Sequence, residues 1–251
     1  MSSQHIFVCD GRAVKQIRID DGQLIRRIQL QQSHQNSMCI SPDEQFLYVS
    51  YQYFYFGEGE NTITIEKYRI DDGSLIPMGD CDCGDHMCIS HDGKHLFISR
   101  HNNYDIQVIE TENGNEVGTI ELRQRVMGGS MCISPCGKFL FVADNRCKDS
   151  QIHILDISGG DGGDGGEDYR ILHTPNMNYG SISISRDGAF IFASNEFNNR
   201  IQVLSVEDGS VVRIIHCAGV NKIDSMCMSP DDQEIFVNNI GSSLVHVFSG
   251  M

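Results

Sequence analysis

The side chains able to ligate a divalent cation stand at two distant places, Asp85 with His86 and, far downstream, Asp224. Imidazole nitrogen and carboxylate oxygen are ordinary ligands for such ions, calcium or a similar metal among them. A site built from these three residues serves a metal-dependent hydrolase or lyase. The plainer reading of the same residues is a solvated, hydrogen-bonded polar rim. A second acidic set, Asp161, Asp164, Glu167 and Asp168, lies among the glycines of "SGGDGGDGGEDY" at 158–169. Carboxylates suit calcium, but the EF-hand spacing is missing, so this stretch reads as a flexible insertion. No G-x-S-x-G elbow, Gly-rich phosphate loop or H-E-x-x-H pair occurs. No catalytic residue is assigned, and the chain reads as a non-enzyme with no cofactor.

A different chemistry is offered by "YVSYQYFYFGEGENTITI" at 48–65. Tyr51, Tyr53, Phe54, Tyr55 and Phe56 crowd ahead of a polar Gly-Glu run. Aromatic rings cost free energy in water and bury a large area when a protein partner docks on them. Packing on a neighbouring loop is the plainer alternative. Gly57 and Gly59 allow a tight reversal, so an extended hairpin is expected here.

Composition narrows the partners. The formal net charge is −15. Affinity for phosphate backbones rests on Lys and Arg, so nucleic acid is excluded as a partner, "RQRV" at 123–126 being the sole basic cluster. No run of about 18 apolar residues is present, so no membrane is crossed by a helix. The N-terminus lacks the basic and apolar regions of a secretory leader, and the chain is expected to be cytoplasmic. The 10 cysteines do not follow zinc-ribbon spacing. Cys39, Cys88, Cys132 and Cys227 recur in one local phrase, "MCIS" or "MCMS", and read as small buried apolar residues. Of the histidines, His153 and His246 fall at one repeat position and read as partly exposed strand residues.

That phrase decides the architecture. "SMCISPDEQFLYVS" at 37–50 returns as "HMCISHDGKHLFIS" at 86–99 and "SMCISPCGKFLFVA" at 130–143. It returns again as "SISISRDGAFIFAS" at 181–194 and "SMCMSPDDQEIFVN" at 225–238. A period of about 44 to 51 residues fits propeller blades rather than helical solenoids. Each unit holds a short first strand, an "SPDG" turn, a second strand such as "FLFV", a third such as "IQVLS", an "EDGS" turn and a fourth strand. The fold predicted is an all-β, six-bladed β-propeller of four-stranded antiparallel blades, a single domain over 1–251. Residues 5–30 match strands two to four and 225–250 match strands one to three. Twenty-two strands are therefore expected, with the incomplete blades at the two ends.

The phrase "SMCISPCGKFLFVADNRCKDSQIHILDI" at 130–157 resembles the YVTN repeat of lactonase-like propellers. "IFASNEFNNRIQVLSVEDGSVVRII" at 191–215 is similar to an NHL repeat. The resemblance spans nearly the whole chain and concerns turns and core. It implies a β-propeller from a group that holds protein-binding modules, RNA binders, lyases and lactonases. The RNA binders of that group present basic surfaces, which this chain lacks.

The repeat register then places the candidates. Asn36-Ser37, Asp85-His86, Gly129-Ser130, Gly180-Ser181 and Asp224-Ser225 each precede a first strand, where propellers open their channel. Most blades offer Ser or Gly there, which weighs against a metal-dependent lactonase- or lyase-like enzyme and leaves it as the alternative. Tyr48 and Val49 fall in a second strand and are core. Residues from Tyr51 to Asn61 form an insertion between strands two and three, on the face where propellers usually bind. The sequence thus favours a non-enzymatic protein-interaction or scaffold module.

Overall fold

The computed structural model describes residues 5–32, 35–52, 63–78, 86–99, 103–126, 129–144, 150–159, 169–174, 177–195, 198–220, 222–229, 231–239 and 244–249. The strands group into two compact units. These are Met1–Ile98 with Val108–Val117, and Ser99–Gln107 with Gly118–Met251. The twenty-two predicted strands are present, in six antiparallel sheets of consecutive strands. They are the blades of a six-bladed β-propeller. No helix occurs among the described residues.

In the first unit β1 (His5–Cys9), β2 (Ala13–Arg18) and β3 (Leu24–Gln29) make a three-stranded sheet. β4 (Gln35–Ile40), β5 (Phe46–Gln52), β6 (Ile63–Arg69) and β7 (Leu75–Ile76) make the next. The third sheet holds β8 (His86–Ile89), β9 (His95–Ser99), β10 (Asn103–Glu110) and β11 (Glu116–Val126). The second unit holds β12 (Met131–Ile133), β13 (Phe139–Asp144), β14 (Gln151–Asp156) and β15 (Arg170–His173) in one sheet. Another is built of β16 (Tyr179–Ile184), β17 (Phe190–Asn195), β18 (Arg200–Ser205) and β19 (Val211–His216). Last come β20 (Ile223–Met228), β21 (Glu234–Asn239) and β22 (Val245–Ser249), again three strands.

Burial follows strand position. The middle strands β13 and β14 are buried almost throughout, because sheets cover both of their faces; such strands read as apolar runs rather than alternations. Tyr48 and Val49 are core, as predicted, at 1% and 0% exposure. Fourth strands are largely exposed, as β3 and β19 show. The repeated cysteines are less buried than the sequence suggested. Cys39, Cys88 and Cys132 are half-buried, Cys39 and Cys132 packing against the core, and Cys227 is exposed.

The "SPDG" turn is one hydrogen-bonded device used repeatedly. The Ser41 hydroxyl accepts from Phe46 N at 2.9 Å and donates to Asp43 at 2.5 Å. Ser90, Ser185 and Ser229 do the same with Asp92, Asp187 and Asp231, each at 2.6 Å. Each carboxyl is held below the usual carboxylate range, first by its serine hydroxyl and then by a backbone N–H. Cys136 replaces the aspartate in the remaining turn, 3.3 Å from Ser134.

First strands begin earlier than "MCIS", which corrects the expectation that Asn36-Ser37, Gly180-Ser181 and Asp224-Ser225 lie in loops. Pairing slips between Gln35 and Ser37, between Tyr179 and Ile182, and between Ile223 and Ser225. The extra residue is a β-bulge, which lengthens the strand and re-aims its side chains. A serine from the second strand closes two of these bulges. Ser50 accepts from Ser37 N at 3.1 Å, and Ser194 accepts from Ser181 N at 2.8 Å. Within each unit the inner serine also ties one sheet to the next: Ser37 Oγ accepts from Met87 N at 3.2 Å, and Ser181 Oγ donates to Met226 O at 3.4 Å.

The sheet ends differ in charge. Fourth-position strands carry Arg26 and Arg27 (β3), Glu116, Glu121 and Arg123 (β11), Arg170 (β15) and Arg213 (β19), while β7 is only two residues long. β22, the end strand of the last sheet, reads VHVFS, with Val247 half exposed and no Lys, Arg, Asp or Glu.

Candidate functional site

β5 and β6 stay paired out to Gln52 and Ile63, so the segment 53–62 joins two strand ends that are already side by side. The corresponding connection between β9 and β10 is 100–102, and that between β17 and β18 is 196–199. The long insertion therefore sits between a second and a third strand, where the repeat register put it. Tyr53, Phe54, Tyr55 and Phe56 lie outside the described residues. Tyr51 does not belong with them. It pairs with Gln35 and Thr64 inside the sheet and is 1% exposed. Its expected place among the exposed aromatics of the insertion is corrected: its ring packs with Leu47, Val49 and Tyr68 in the core of the first unit.

Gln35, Tyr51 and Thr64 oppose one another across three strands, so their side chains share one face. Two and four residues along β6 on that face are Glu66 and Tyr68. The Tyr68 hydroxyl donates to Glu66 and accepts from Gln31 N at 2.9 Å. Gln32 Nε2 donates to the other Glu66 oxygen at 3.3 Å. Burial pushes the Tyr68 phenol up to about 12. Burial first, and Tyr68 and Glu66 next, push the Tyr51 phenol up as well. Among the described residues, four oxygens at this end of the sheet are buried without a hydrogen-bond partner: Gln32 Oε1, Gln35 Oε1, Tyr51 Oη and Thr64 Oγ1. Tyr51 Oη is crowded by Tyr68 and Glu66 but meets neither in hydrogen-bonding geometry. The foot of the insertion is thus a half-buried carboxylate among oxygens.

The predicted metal ligands fall on different elements. Asp85 lies outside the described residues. His86 opens β8, half-buried, in the first unit. Asp224 is the extra residue of the β20 bulge, exposed, in the second unit. No group of three His, Cys, Asp or Glu side chains is close enough to hold a metal among the described residues. The acidic glycine-rich stretch falls between β14 and β15, with Asp161, Asp164, Glu167 and Asp168 outside the description.

Sequence reasoning missed a polar cluster in the second unit. His153, expected to be partly exposed, is fully buried, as is Asp144. The correction has a physical cause: β14 is covered on both faces, so its histidine must find partners inside. His153 Nδ1 lies 2.5 Å from the Tyr169 hydroxyl, with the rings edge to face at 5.9 Å. Its Nε2 is 3.8 Å from Asp144 Oδ2. The Arg123 guanidinium stacks 4.5 Å over the Tyr169 ring, and Arg123 N donates to the Tyr169 hydroxyl at 3.3 Å. So the basic stretch at 123–126 is partly spent on this internal contact. With His153 and Asp144 fully buried, the cluster ties strands together. The sequence signal was an Asp at the end of one apolar run and a His inside the next.

No protein-family model matches the chain, and no curated protein matches it. Among solved structures 1405 chains match, a breadth that marks a widely used fold. One of them, hydrazine synthase from Kuenenia stuttgartiensis, superposes with a TM-score of 0.70 at 12% identity. The match covers 99% of this chain and 93% of that one. At such identity the likeness shows the shared fold alone, and function has to be argued from sites.

Proposed function

We propose that this chain is a non-enzymatic protein-interaction module that engages its partner through the insertion at 53–62. The observation that carries the reading is the placement of Tyr53, Phe54, Tyr55 and Phe56 between the paired ends of β5 and β6. Aromatic side chains on a connection held by a rigid sheet are the usual anchors of protein interfaces. The NHL- and YVTN-like blade pattern supports a scaffold of this kind, and the charge of −15 favours a basic partner over nucleic acid.

The test is affinity capture by the wild-type chain and by the triple variant Tyr53→Ser, Phe54→Ser, Tyr55→Ser. Far-UV circular dichroism and the melting temperature serve as controls of folding. The expected result is loss of the captured protein with the fold retained. Undiminished capture by the folded triple variant would remove the insertion from the interface.

A further inference from the structure

We propose that the foot of the insertion, formed by Gln32, Gln35, Tyr51, Thr64 and Glu66, is a binding site for a guanidinium group, presented as an arginine side chain of the protein partner. The inference rests on the interaction reading above and adds the chemistry of what is recognised.

The argument is an accounting of donors and acceptors. Glu66 accepts hydrogen bonds from Tyr68 and Gln32, and no Lys or Arg pairs with it among the described residues. Gln32 has committed its amide N–H to Glu66, which fixes the flip and leaves Oε1 as a bare acceptor. Among the described residues, Gln35 Oε1 is a second bare acceptor, and Tyr51 Oη and Thr64 Oγ1 have no partner either. Buried polar atoms are almost always satisfied, so a set of orphaned oxygens on one face marks a group that arrives from outside. That group must be rich in donors and must tolerate a neighbouring carboxylate. An anion fails on charge. Lysine offers three donors from one point, whereas guanidinium offers five in a planar fork that spans several acceptors. Burial keeps the Tyr51 phenol protonated, so it remains a neutral partner here. The negative charge of the whole chain draws such a cation in.

The probe is a fluorescein-labelled Gly-Gly-Arg-Gly-Gly peptide, followed by anisotropy. Its counterparts carry citrulline or lysine in place of arginine, and free L-arginine serves as competitor. Saturable binding is expected for the arginine peptide, at least tenfold weaker for citrulline, with lysine between them. Glu66→Gln should weaken the arginine peptide at least tenfold. Tyr51→Phe removes an orphaned hydroxyl, so its melting temperature without peptide should be unchanged or higher, while its affinity falls several-fold. Hydrogen exchange should slow in β4 to β6 when the peptide is added, a readout independent of any variant. Equal binding of citrulline and arginine overturns the proposal, as does an absence of both saturable binding and altered exchange. The orphaned oxygens would then be matched by internal water. Free L-arginine binding as tightly as the peptide overturns the protein source. If the triple aromatic variant loses its captured protein while Glu66→Gln keeps it, the guanidinium site falls and the interaction reading stands.

Discussion

Cys136 occupies the position that four sister turns give to aspartate, and it inherits their hydrogen bonds. Ser134 and the Lys138 backbone N–H favour its thiolate, lowering its pKa at an exposed site. Desolvation does the opposite elsewhere, raising the Cys9 and Cys39 thiols and pushing Cys132 up to about 12 and Cys217 up to about 11. Thiolate, not thiol, reacts. Timed alkylation with iodoacetamide and peptide mapping should therefore modify Cys136 well before Cys9, Cys39, Cys132 or Cys217. Equal rates among these would contradict that ordering. The substitution was visible in the sequence because the turn repeats. The roles of Tyr51 and His153 were not, since a side chain's surroundings come from sheets that the local phrase does not mention. Tyr51 is the penultimate residue of β5 and faces the core. Aromatics continue in the sequence past Gln52, the last described residue of β5, so the residue types alone mark no boundary there.

At the scale of the element, the telling feature is the entry to each first strand. A Cβ added to Gly129 would stand 1.5 Å from the Ala143 carbonyl oxygen and 2.4 Å from its carbon. Backbone cannot yield as a flexible side chain does. Gly129→Ala should therefore fall in the severe class of single substitutions, at roughly 4 kcal/mol or more, read from the midpoint of urea unfolding. A loss within about 0.5 kcal/mol, the range of neutral surface changes, would show that the strand entry rearranges freely. The bulges at Asn36, Gly180 and Asp224 escaped sequence reading for a related reason. A bulge fixes a backbone count rather than a residue type, so asparagine, glycine and aspartate serve alike. What was legible was the pair of turns in each blade. Ser-x-Asp and Asp-Gly are demanded by hydrogen bonds and backbone angles that few other residues supply.

For the whole molecule the repeated turn sets a response to acid. Asp43, Asp92, Asp187 and Asp231 all have folded-state pKa values below the unfolded one. A carboxyl of that kind contributes stability above about pH 4 and loses it as pH falls through its folded value. The melting temperature should thus be nearly flat from pH 7 to about 5 and drop steeply below about 4. Ser185→Ala should blunt the drop by removing the hydroxyl that holds Asp187 ionised. A melting temperature indifferent to pH between 5 and 2.5 would refute this. Blade number and strand count were readable because the same phrase recurs five times and each copy carries its own turns. All blades use nearly the same words. One asymmetry remains among them. Outer strands are kept from unwanted pairing by charge or by shortness, and among the described residues β22 has neither safeguard. For the protein engineer that makes β22 the grafting point. A strand fused in cis or supplied by a designed companion would meet an uncharged template there, and an added lysine at Val247 would close it.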